Sequence, residues 1–241
     1  MRKVEVLQVE FDNLTMDEAV QHGLDCIAAH KGSYVVTPNP EIVMQVRQDP
    51  AVASAVAQAE LVLPDGIGIV YGAKILGRPL QQKVAGIEFG QNLMAQLAKQ
   101  HGSVYLFGAK PGIADKAGEN LQQMFPGLQI AGISDGYFQD DRPIVEKINA
   151  AAPDLLLVCL GAPKQELWMQ EHAGKLNVGL MAGLGGSLDV FSGTVKRAPE
   201  IWCKLGLEWL YRGLSDPKRM GRLMKLPHFV LCVLKERVTH G

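Results

Sequence analysis

The sequence lacks the features that mark secreted and membrane-spanning proteins. Its 241 residues include four cysteines, which are widely spaced and form no C-x-x-C pair, so we interpret them as reduced core residues of a cytosolic protein. The N-terminus enters a strand-like pattern without the apolar core of a signal peptide. No window reaches the roughly 18–20 uncharged apolar residues that cross a bilayer. These absences predict a cytoplasmic protein that is soluble or at most peripheral to a membrane.

Common catalytic and nucleotide-binding signatures are also missing. There is no Walker A sequence and no G-x-S-x-G elbow, and Gly183-Leu-Gly185-Gly186 lacks the spacing of a dinucleotide fingerprint. The six histidines show no metal-ligand spacing, and no Asp-x-Asp motif is present. The sequence therefore argues against a dehydrogenase, a P-loop enzyme and an α/β hydrolase, and it predicts no cofactor and no metal.

Charge is distributed unevenly, although the net charge is only −1. Residues 196–241 contain ten Lys or Arg and four Asp or Glu, a local charge of +6, whereas residues 1–195 carry −7. A segment this basic indicates an anionic partner. We expect no nucleic acid partner, because the rest of the chain is acidic and no recognised binding motif is present.

Apolar and aromatic residues alternate with the bases of this C-terminal segment. Trp, Tyr, Leu and Met in such an arrangement are typical of helices at a membrane interface, where the cations contact anionic lipid. The alternative is a helical subdomain packed on the core, or on a neighbouring subunit of a homo-oligomer. The sequence alone leaves both interpretations open.

Strand-like and helical patterns alternate over the first 194 residues. Short apolar runs, such as residues 155–160, are separated by helical stretches of 10–15 residues, and Thr15-Met-Asp-Glu18 forms a capping box before the first helix. This order predicts an α/β fold with a Rossmann-like, mostly parallel sheet and helices on both faces. Residues 4–9 are expected to form one half-buried strand. We predict a catalytic domain over residues 1–194 and a helical, basic appendage over residues 195–241.

Six of the predicted strands end in loops rich in glycine and polar residues. In an open α/β sheet such loops meet at the carboxyl edge, where ligands bind. Glycines let the backbone approach a ligand, and helix N-termini offer N–H groups to phosphate. A single loop is explained equally well as a tight turn, so only the six together favour a ligand site. The loops are Thr37-Pro-Asn39-Pro, Pro64-Asp65-Gly66, Gly108-Ala-Lys-Pro111, Asp135-Gly-Tyr137, Gly161-Ala-Pro163-Lys-Gln165-Glu166 and Gly183-Leu-Gly185-Gly186-Ser187.

Asp65 stands out among the acids of these loops. It follows an apolar strand directly, between Pro64 and Gly66. A partly buried carboxylate at this edge could act as a general base. The alternative is an N-cap for a helix over residues 67–76, because Asp is a favoured cap.

Eight segments together resemble the WecG/TagA/CpsF family of glycosyltransferases over nearly the whole chain. They are Thr37-Pro-Asn39-Pro-Glu41-Ile-Val43, Leu63-Pro-Asp65-Gly-Ile-Gly-Ile-Val70, Val84-Ala-Gly86, Asp135-Gly-Tyr137-Phe138, Leu160-Gly-Ala-Pro163-Lys-Gln165-Glu166, Gly185-Gly-Ser-Leu-Asp189, Gly193-Thr-Val-Lys196-Arg197-Ala-Pro199 and Gly206-Leu-Glu-Trp-Leu-Tyr-Arg212.

This resemblance implies a metal-independent, inverting transfer of a sugar in cell-surface polysaccharide synthesis. The donor is expected to be a UDP-sugar, with N-acetylmannosamine as the first candidate, and the acceptor a GlcNAc-like sugar on a polyprenyl diphosphate. UDP-glucose and the uronic acid of UDP-N-acetylmannosamine are the alternative donors. An alternative of another class is a nucleotide-binding module without catalysis.

The resemblance also implies roles for individual residues. Asp65 corresponds to the base that deprotonates the acceptor hydroxyl, and Thr37, Asn39 and Gln165 to polar groups that position sugar and acceptor. Backbone N–H groups and cations would neutralise the leaving diphosphate. The appendage is thus expected to complete the active site and to dock on the inner face of the cell membrane. The substrate-binding set is Lys83, Gly108, Tyr137, Gly161, Pro163, Gly185, Gly186, Lys196, Arg197, Arg212, Arg219 and Arg222.

One position departs from the family pattern. An arginine is expected just before Val84-Ala-Gly86, and this chain has Lys83 instead. Lysine keeps the charge but lacks the bidentate geometry of arginine on phosphate or carboxylate. The lysine makes a uronic-acid donor less attractive.

Overall fold

The computed structural model describes residues 2–196, 198, 199, 202 and 225–240. The strands are β1 (Lys3–Val6), β2 (Val9–Asp12), β3 (Ser33–Val36), β4 (Leu61–Val62), β5 (Ser103–Gly108), β6 (Gln129–Ser134), β7 (Leu155–Cys159) and β8 (Leu180–Gly183). The helices are α1 (Met16–Ala29), α2 (Pro40–Val46), α3 (Pro50–Ala57), α4 (Ile67–Ile75), α5 (Gly86–Lys99), α6 (Ile113–Met124), α7 (Arg142–Ala151), α8 (Lys164–His172), α9 (Ser187–Phe191) and α10 (Lys225–His240).

Strands β3 to β8 form one parallel sheet in the order β4-β3-β8-β7-β5-β6. Successive residues of a strand point to opposite faces. In β7, Leu156 and Val158 enter one apolar core, whereas Leu155, Leu157 and Cys159 enter the other. A central strand that is buried on both faces is what a parallel sheet requires. The predicted α/β fold with helices on both faces is confirmed.

From β3 to β6 in this sheet order, neighbouring strands are followed by helices on opposite faces, whereas β4 and β3 are both followed by helices on the same face. Helices α2, α3, α4, α7, α8 and α10 contribute to the first core, and α1, α5, α6 and α9 to the second. Adjacent strands β5 and β7 are therefore followed by α6 and α8 on opposite sides, and the same holds for β3 and β8. Such switch points open crevices at the carboxyl edge, which is where ligands bind in this architecture.

The N-terminal strand prediction was wrong in its extent. Residues 4–9 do not form one strand, because the chain turns at Leu7 and Gln8, which both have positive φ (50° and 72°), and β1 pairs antiparallel with β2. Two-residue hairpin turns usually carry Asn-Gly or Asp-Gly, so no turn signal was visible here. The hairpin joins the sheet through Asp12, whose Oδ2 accepts a hydrogen bond from Val62 N–H at 2.8 Å.

The first helix begins as the sequence predicts. Thr15 Oγ1 accepts a hydrogen bond from the Glu18 N–H at 3.3 Å, and the Thr15 N–H donates to Glu18 Oε2 at 2.7 Å. These reciprocal bonds satisfy two N–H groups that the helix terminus would otherwise leave unpaired.

Helix α10 packs against α2 and α4, and on α4 it meets glycines. A Cβ added to Gly72 would lie 3.1 Å from the Phe229 ring and 3.5 Å from Val233, and one added to Gly68 would lie 3.8 Å from Leu226. Because these glycines have no side chain, the two helices approach closely. Within the described residues, the C-terminal segment is helical, as predicted. None of the described helices is both long and apolar enough to span a membrane.

Candidate active site

The loops after β3 and β4 bring three of the four predicted catalytic residues to one end of the carboxyl edge. The Asp65 N–H donates to the Pro38 carbonyl at 3.2 Å, so Asp65 lies beside the loop that carries Thr37 and Asn39. Thr37 is buried, and its hydroxyl donates to the Gly183 carbonyl at 3.1 Å, which joins the ends of the adjacent strands β3 and β8. Residues far apart in sequence therefore meet around one crevice.

Asp65 is not the N-cap of α4. The cap position is Gly66, with φ of 88°, and glycine has no side chain that could cap the helix. The capping interpretation of Asp65 was therefore wrong. Asn39, in contrast, caps α2, because its Oδ1 accepts a hydrogen bond from the Ile42 N–H at 3.1 Å. The amide nitrogen of Asn39 is not part of this cap, so its contribution to substrate binding would be as a hydrogen-bond donor.

Lys83 lies next to the same group of residues. The Val84 N–H donates to the Pro64 carbonyl at 2.9 Å, which places residues 83–84 along the strand end that carries Asp65. Helix α5 then starts against Thr37, since a Cβ added to Gly86 would lie 2.9 Å from Thr37 Oγ1. Lys83 is half-buried. Its ammonium supplies a point charge at this end of the edge.

The loops after β5, β6 and β7 form the other end of the site. Three hydrogen bonds hold them side by side: Ala109 N–H to the Cys159 carbonyl at 3.2 Å, Gly136 N–H to the Ala109 carbonyl at 2.9 Å, and Lys164 Nζ to the Gly136 carbonyl at 3.3 Å. Gly108 makes this approach sterically feasible, because it has φ of 131° and a Cβ there would lie 2.3 Å from the Cys159 carbonyl oxygen.

Several predicted UDP-binding residues lie in or next to the loops after β5, β6 and β7. Tyr137 is 68% exposed, and Pro163 immediately precedes α8. Gly161 and Gly185 both have positive φ, and a Cβ on either would meet no atom of the described residues within 4 Å. The open space beside these two glycines suits the approach of a ligand to the backbone. Gly186 is exposed next to Gly185 and precedes α9.

The sequence interpretation missed Lys164 and Phe138 as members of this group. Lys164 Nζ lies 3.9 Å above the Phe138 ring, a cation–π contact. Lys164 is also the first residue of α8, where helix N–H groups favour anions. Its place inside the Gly161-Ala-Pro163-Lys-Gln165-Glu166 loop was the available signal.

Gln165 connects the loops after β7 and β8. Its buried Oε1 accepts a hydrogen bond from the Gly185 N–H at 3.0 Å, and its Nε2 donates to Glu166 Oε1 at 2.9 Å. Gly183 packs against the same amide, since a Cβ there would lie 3.1 Å from Gln165 Nε2. The amide is thus engaged within the protein, and its predicted contact with sugar or acceptor stays a prediction.

Comparison with known proteins identifies the family. The model of the Glycosyl transferase WecG/TagA/CpsF family matches residues 4–241. The chain belongs to the WecG/TagA/CpsF family of glycosyltransferases. A relative from Bacillus spizizenii (strain W23) is 37% identical over 236 residues, which cover 98% of this chain and 92% of the relative. A relative from Staphylococcus aureus (strain MW2) is 37% identical over 238 residues, with 98% and 93% covered. Both are named N-acetylglucosaminyldiphosphoundecaprenol N-acetyl-beta-D-mannosaminyltransferase.

The WecG/TagA/CpsF match includes the basic C-terminal segment, in which Lys196 is the one predicted site residue within the described part of the chain. Lys196 is exposed just beyond α9. Four predicted diphosphate contacts lie outside the described residues: Arg197, Arg212, Arg219 and Arg222. Their contact with the leaving diphosphate stays a prediction.

A second cluster of polar side chains lies away from this glycosyltransferase site. The ligand atoms of His22, Cys26 and Glu60 lie within 4.8 Å of one another, an arrangement that the spacing of the histidines along the sequence did not indicate. The sequence did not show it because Glu60 is remote along the chain. His22 Nε2 and Glu60 Oε1 lie 3.1 Å apart, a hydrogen bond that accounts for the arrangement. Glu60 precedes β4, so the cluster lies at the amino ends of the strands.

Proposed function

We propose that the protein transfers N-acetylmannosamine from UDP-N-acetylmannosamine to the N-acetylglucosamine of a diphosphoundecaprenol-linked acceptor, with inversion at the anomeric carbon. The names of the two relatives support this choice of sugar and acceptor. The observation that carries the proposal is the meeting of Asp65 with the Thr37–Asn39 loop, at the same carboxyl edge as the glycine-rich loops.

The reaction divides between the two ends of the site. Asp65 accepts the proton of the acceptor hydroxyl while the hydroxyl oxygen bonds to the anomeric carbon. The bond between that carbon and the β-phosphate oxygen breaks, and UDP leaves with the electron pair. Thr37, Asn39 and Lys83 position the reacting sugars around Asp65, because correct orientation of two reactants removes much of the entropic barrier.

The other end of the site holds the nucleotide and diphosphate. Strands β4 and β7 are three positions apart in the sheet, which corresponds to roughly 14 Å. A donor lying along the edge would therefore direct its sugar towards Asp65 while its diphosphate lies over the Gly161 and Gly185 loops. The N-terminus of α8 and the exposed Lys164 supply positive charge there.

We assign residues 195–241 to an appendage that docks on the anionic inner face of the cell membrane. Helix α10 buries Phe229 and Val233 against α4, but it also carries an exposed apolar face. Helix α4 adds exposed apolar side chains of its own. We define the apolar face of α4 and α10 as Tyr71, Ile75, Val230, Leu231, Leu234 and Val238. Exposed cations on the same two helices or just beyond α4 are Lys74, Arg78, Lys235 and Arg237.

This apolar face lies close to the proposed base. Helix α4 begins two residues after Asp65, and Tyr71 follows Asp65 by roughly 9 Å along the helix axis. A helix pair that presents apolar side chains beside cations suits an anionic lipid surface. An acceptor anchored in that surface would hold its diphosphate-linked sugar near Asp65, with Lys196, Arg197, Arg212, Arg219 and Arg222 as candidate contacts to diphosphate.

Replacing Leu231 and Leu234 together by glutamate is expected to lower membrane binding at least tenfold. The substitutions remove exposed apolar area that would enter the lipid interface and add repulsion from anionic headgroups. Flotation with phosphatidylglycerol liposomes measures the effect. A control with the same charge change is Gln122→Glu with Gln123→Glu, on the exposed surface of α6. Equal flotation of the two variants would contradict membrane docking through α10.

A donor panel tests the proposed reaction. Purified protein is incubated with a synthetic lipid-diphosphate-GlcNAc acceptor and with UDP-N-acetylmannosamine, its uronic acid, UDP-glucose or UDP-N-acetylglucosamine. We expect transfer from UDP-N-acetylmannosamine to exceed that from every other donor at least tenfold. Preference for another donor would overturn the sugar assignment. Binding of UDP by calorimetry without transfer from any donor would instead support a non-catalytic nucleotide-binding module.

A further inference from the structure

Glu166 is a buried acid that the catalytic scheme does not use. It lies in the first turn of α8 with 0% of its surface exposed. Its Oε2 is one of two buried side-chain oxygens that lack a hydrogen-bond partner among the described residues, the other being Gln45 Oε1. No described cation forms a salt bridge with Glu166. Burying a carboxyl group that has one hydrogen bond and no ion pair is unfavourable in free energy. Such a group is therefore a candidate for a functional role.

The other carboxyl oxygen of Glu166 is connected to the candidate site by two hydrogen bonds, with Gln165 between them. Glu166 Oε1 accepts a hydrogen bond from Gln165 Nε2 at 2.9 Å, and Gln165 Oε1 accepts one from the Gly185 N–H at 3.0 Å. A glutamine amide has a donor end and an acceptor end. If the amide turned over, its NH₂ group would face the Gly185 N–H, and two donors would oppose each other. The acceptor oxygen of Glu166 and the Gly185 N–H therefore favour the same orientation of the Gln165 amide, the one in which Gly185 is bound.

The chain of bonds ends at the loop proposed to receive the diphosphate. Gly185 has positive φ and open space beside it, and it follows Gly183, whose carbonyl accepts the Thr37 hydroxyl. The position of the Gly185 backbone thus affects both the loop that is proposed to bind the donor diphosphate and the contact between Gly183 and Thr37. Glu166 acts on this loop through Gln165, since that side chain is the one other described residue to which its carboxyl is hydrogen-bonded.

We propose that Glu166 is a positioning residue for sugar transfer, which fixes the Gln165 amide so that the Gly185 loop is held in the shape that receives the donor diphosphate. This inference rests on the proposed function. Burial raises the pKa of Glu166, which is consistent with a neutral carboxyl whose carbonyl oxygen accepts from Gln165. A neutral carboxyl is nearly isosteric with a glutamine amide, so Glu166→Gln keeps the acceptor and Glu166→Leu removes it.

The first test compares these two variants. Glu166→Leu is expected to raise the KM for the UDP-sugar and the Kd for UDP about tenfold, the loss of one buried hydrogen bond, and to leave the KM for the acceptor unchanged. Glu166→Gln is expected to stay within about threefold of wild type. The matched control is Gln170→Leu, which removes a hydrogen bond from the same helix to Ser54 without contacting Gln165. Equal losses in Glu166→Leu and Glu166→Gln, or in Glu166→Leu and the control, would overturn the proposal.

A double-mutant cycle tests whether Glu166 acts through Gln165. In a Gln165→Ala background, Glu166→Leu is expected to weaken UDP binding by less than twofold further, because no amide remains to be oriented. A further tenfold loss would contradict the proposal. If Glu166→Leu unfolds at the assay temperature, the exchanged pair Gln165→Glu with Glu166→Gln replaces it. This pair keeps an acceptor for Gly185 and a bond between the two side chains, so it should recover most of the binding lost in Gln165→Glu alone, and failure to recover would overturn the proposal.

These measurements test the proposed sugar transfer and the positioning role of Glu166 separately. Calorimetric UDP binding reports on the Gly185 loop without requiring turnover. Wild-type transfer in the donor panel, together with unaltered binding in Glu166→Leu, would sustain the proposed function and reject the role of Glu166. Absence of wild-type transfer with every donor would reject the proposed function itself.

Discussion

Replacing Asp65 by asparagine is expected to lower the rate of sugar transfer about 10²–10⁴-fold, the range that a general base contributes. Asparagine matches aspartate in shape but cannot accept the proton of the acceptor hydroxyl. UDP binding should be unchanged, because the nucleotide is proposed to lie over the loops after β5, β7 and β8. Turnover with the lipid-diphosphate-GlcNAc acceptor and calorimetry with UDP measure the two effects separately.

The control for this variant is Asp115→Asn, which makes the same chemical change on the exposed surface of α6. It should retain full activity. Near-normal turnover by Asp65→Asn would rule out Asp65 as the base. Loss of UDP binding in Asp65→Asn would instead place this carboxylate, directly or indirectly, in donor binding.

Replacing Gly108 by alanine is expected to destabilise the protein by about 2–6 kcal/mol. Two costs add: about 1–3 kcal/mol for a non-glycine residue at this φ, and about 1–3 kcal/mol for the overlap of its Cβ with the Cys159 backbone. The ends of β5 and β7 must then move apart, so UDP binding at the crevice should weaken as well. Urea unfolding followed by circular dichroism measures the stability, and calorimetry measures the binding.

Gly112→Ala provides a matched comparison on the same β5–α6 connection. Gly112 also has positive φ (81°), but a Cβ there meets no atom of the described residues within 4 Å. Its cost is limited to backbone strain, about 1 kcal/mol. If Gly108→Ala were no more destabilising than Gly112→Ala, the close approach of the β5 and β7 ends would not be a requirement of the site.

Local patterns in the sequence predicted the architecture well because they depend on neighbouring residues. The capping box at Thr15 and Glu18 started α1 as expected, and the apolar run of β7 proved to be a strand buried on both faces. The hairpin at Leu7 and Gln8 escaped prediction, because these residues adopt positive φ without the glycine or asparagine that usually marks such a turn.

The sequence indicated residue types for the candidate site but not the contacts that these residues make. The sequence pointed to Asp65 but could not separate a base from a helix cap, since both functions use the same residue at the same place. The chain geometry at Gly66 excludes Asp65 from the cap position of α4, and its function as the base stays a prediction. Lys164 was passed over, because its approach to Phe138 and Gly136 depends on how the β6 and β7 loops meet in space.

The sequence by itself determined the fold class, the family and the set of loops at the carboxyl edge, because these follow from periodicity and from motifs read along the chain. Only the tertiary structure decided which functional groups of those loops are already engaged. It showed that Gln165 is bound between Gly185 and Glu166, and that α10 lies on the glycines of α4 while keeping a second apolar face exposed. The physical reason is that hydrogen bonds and packing join residues that are distant in sequence, and no local pattern records such pairs.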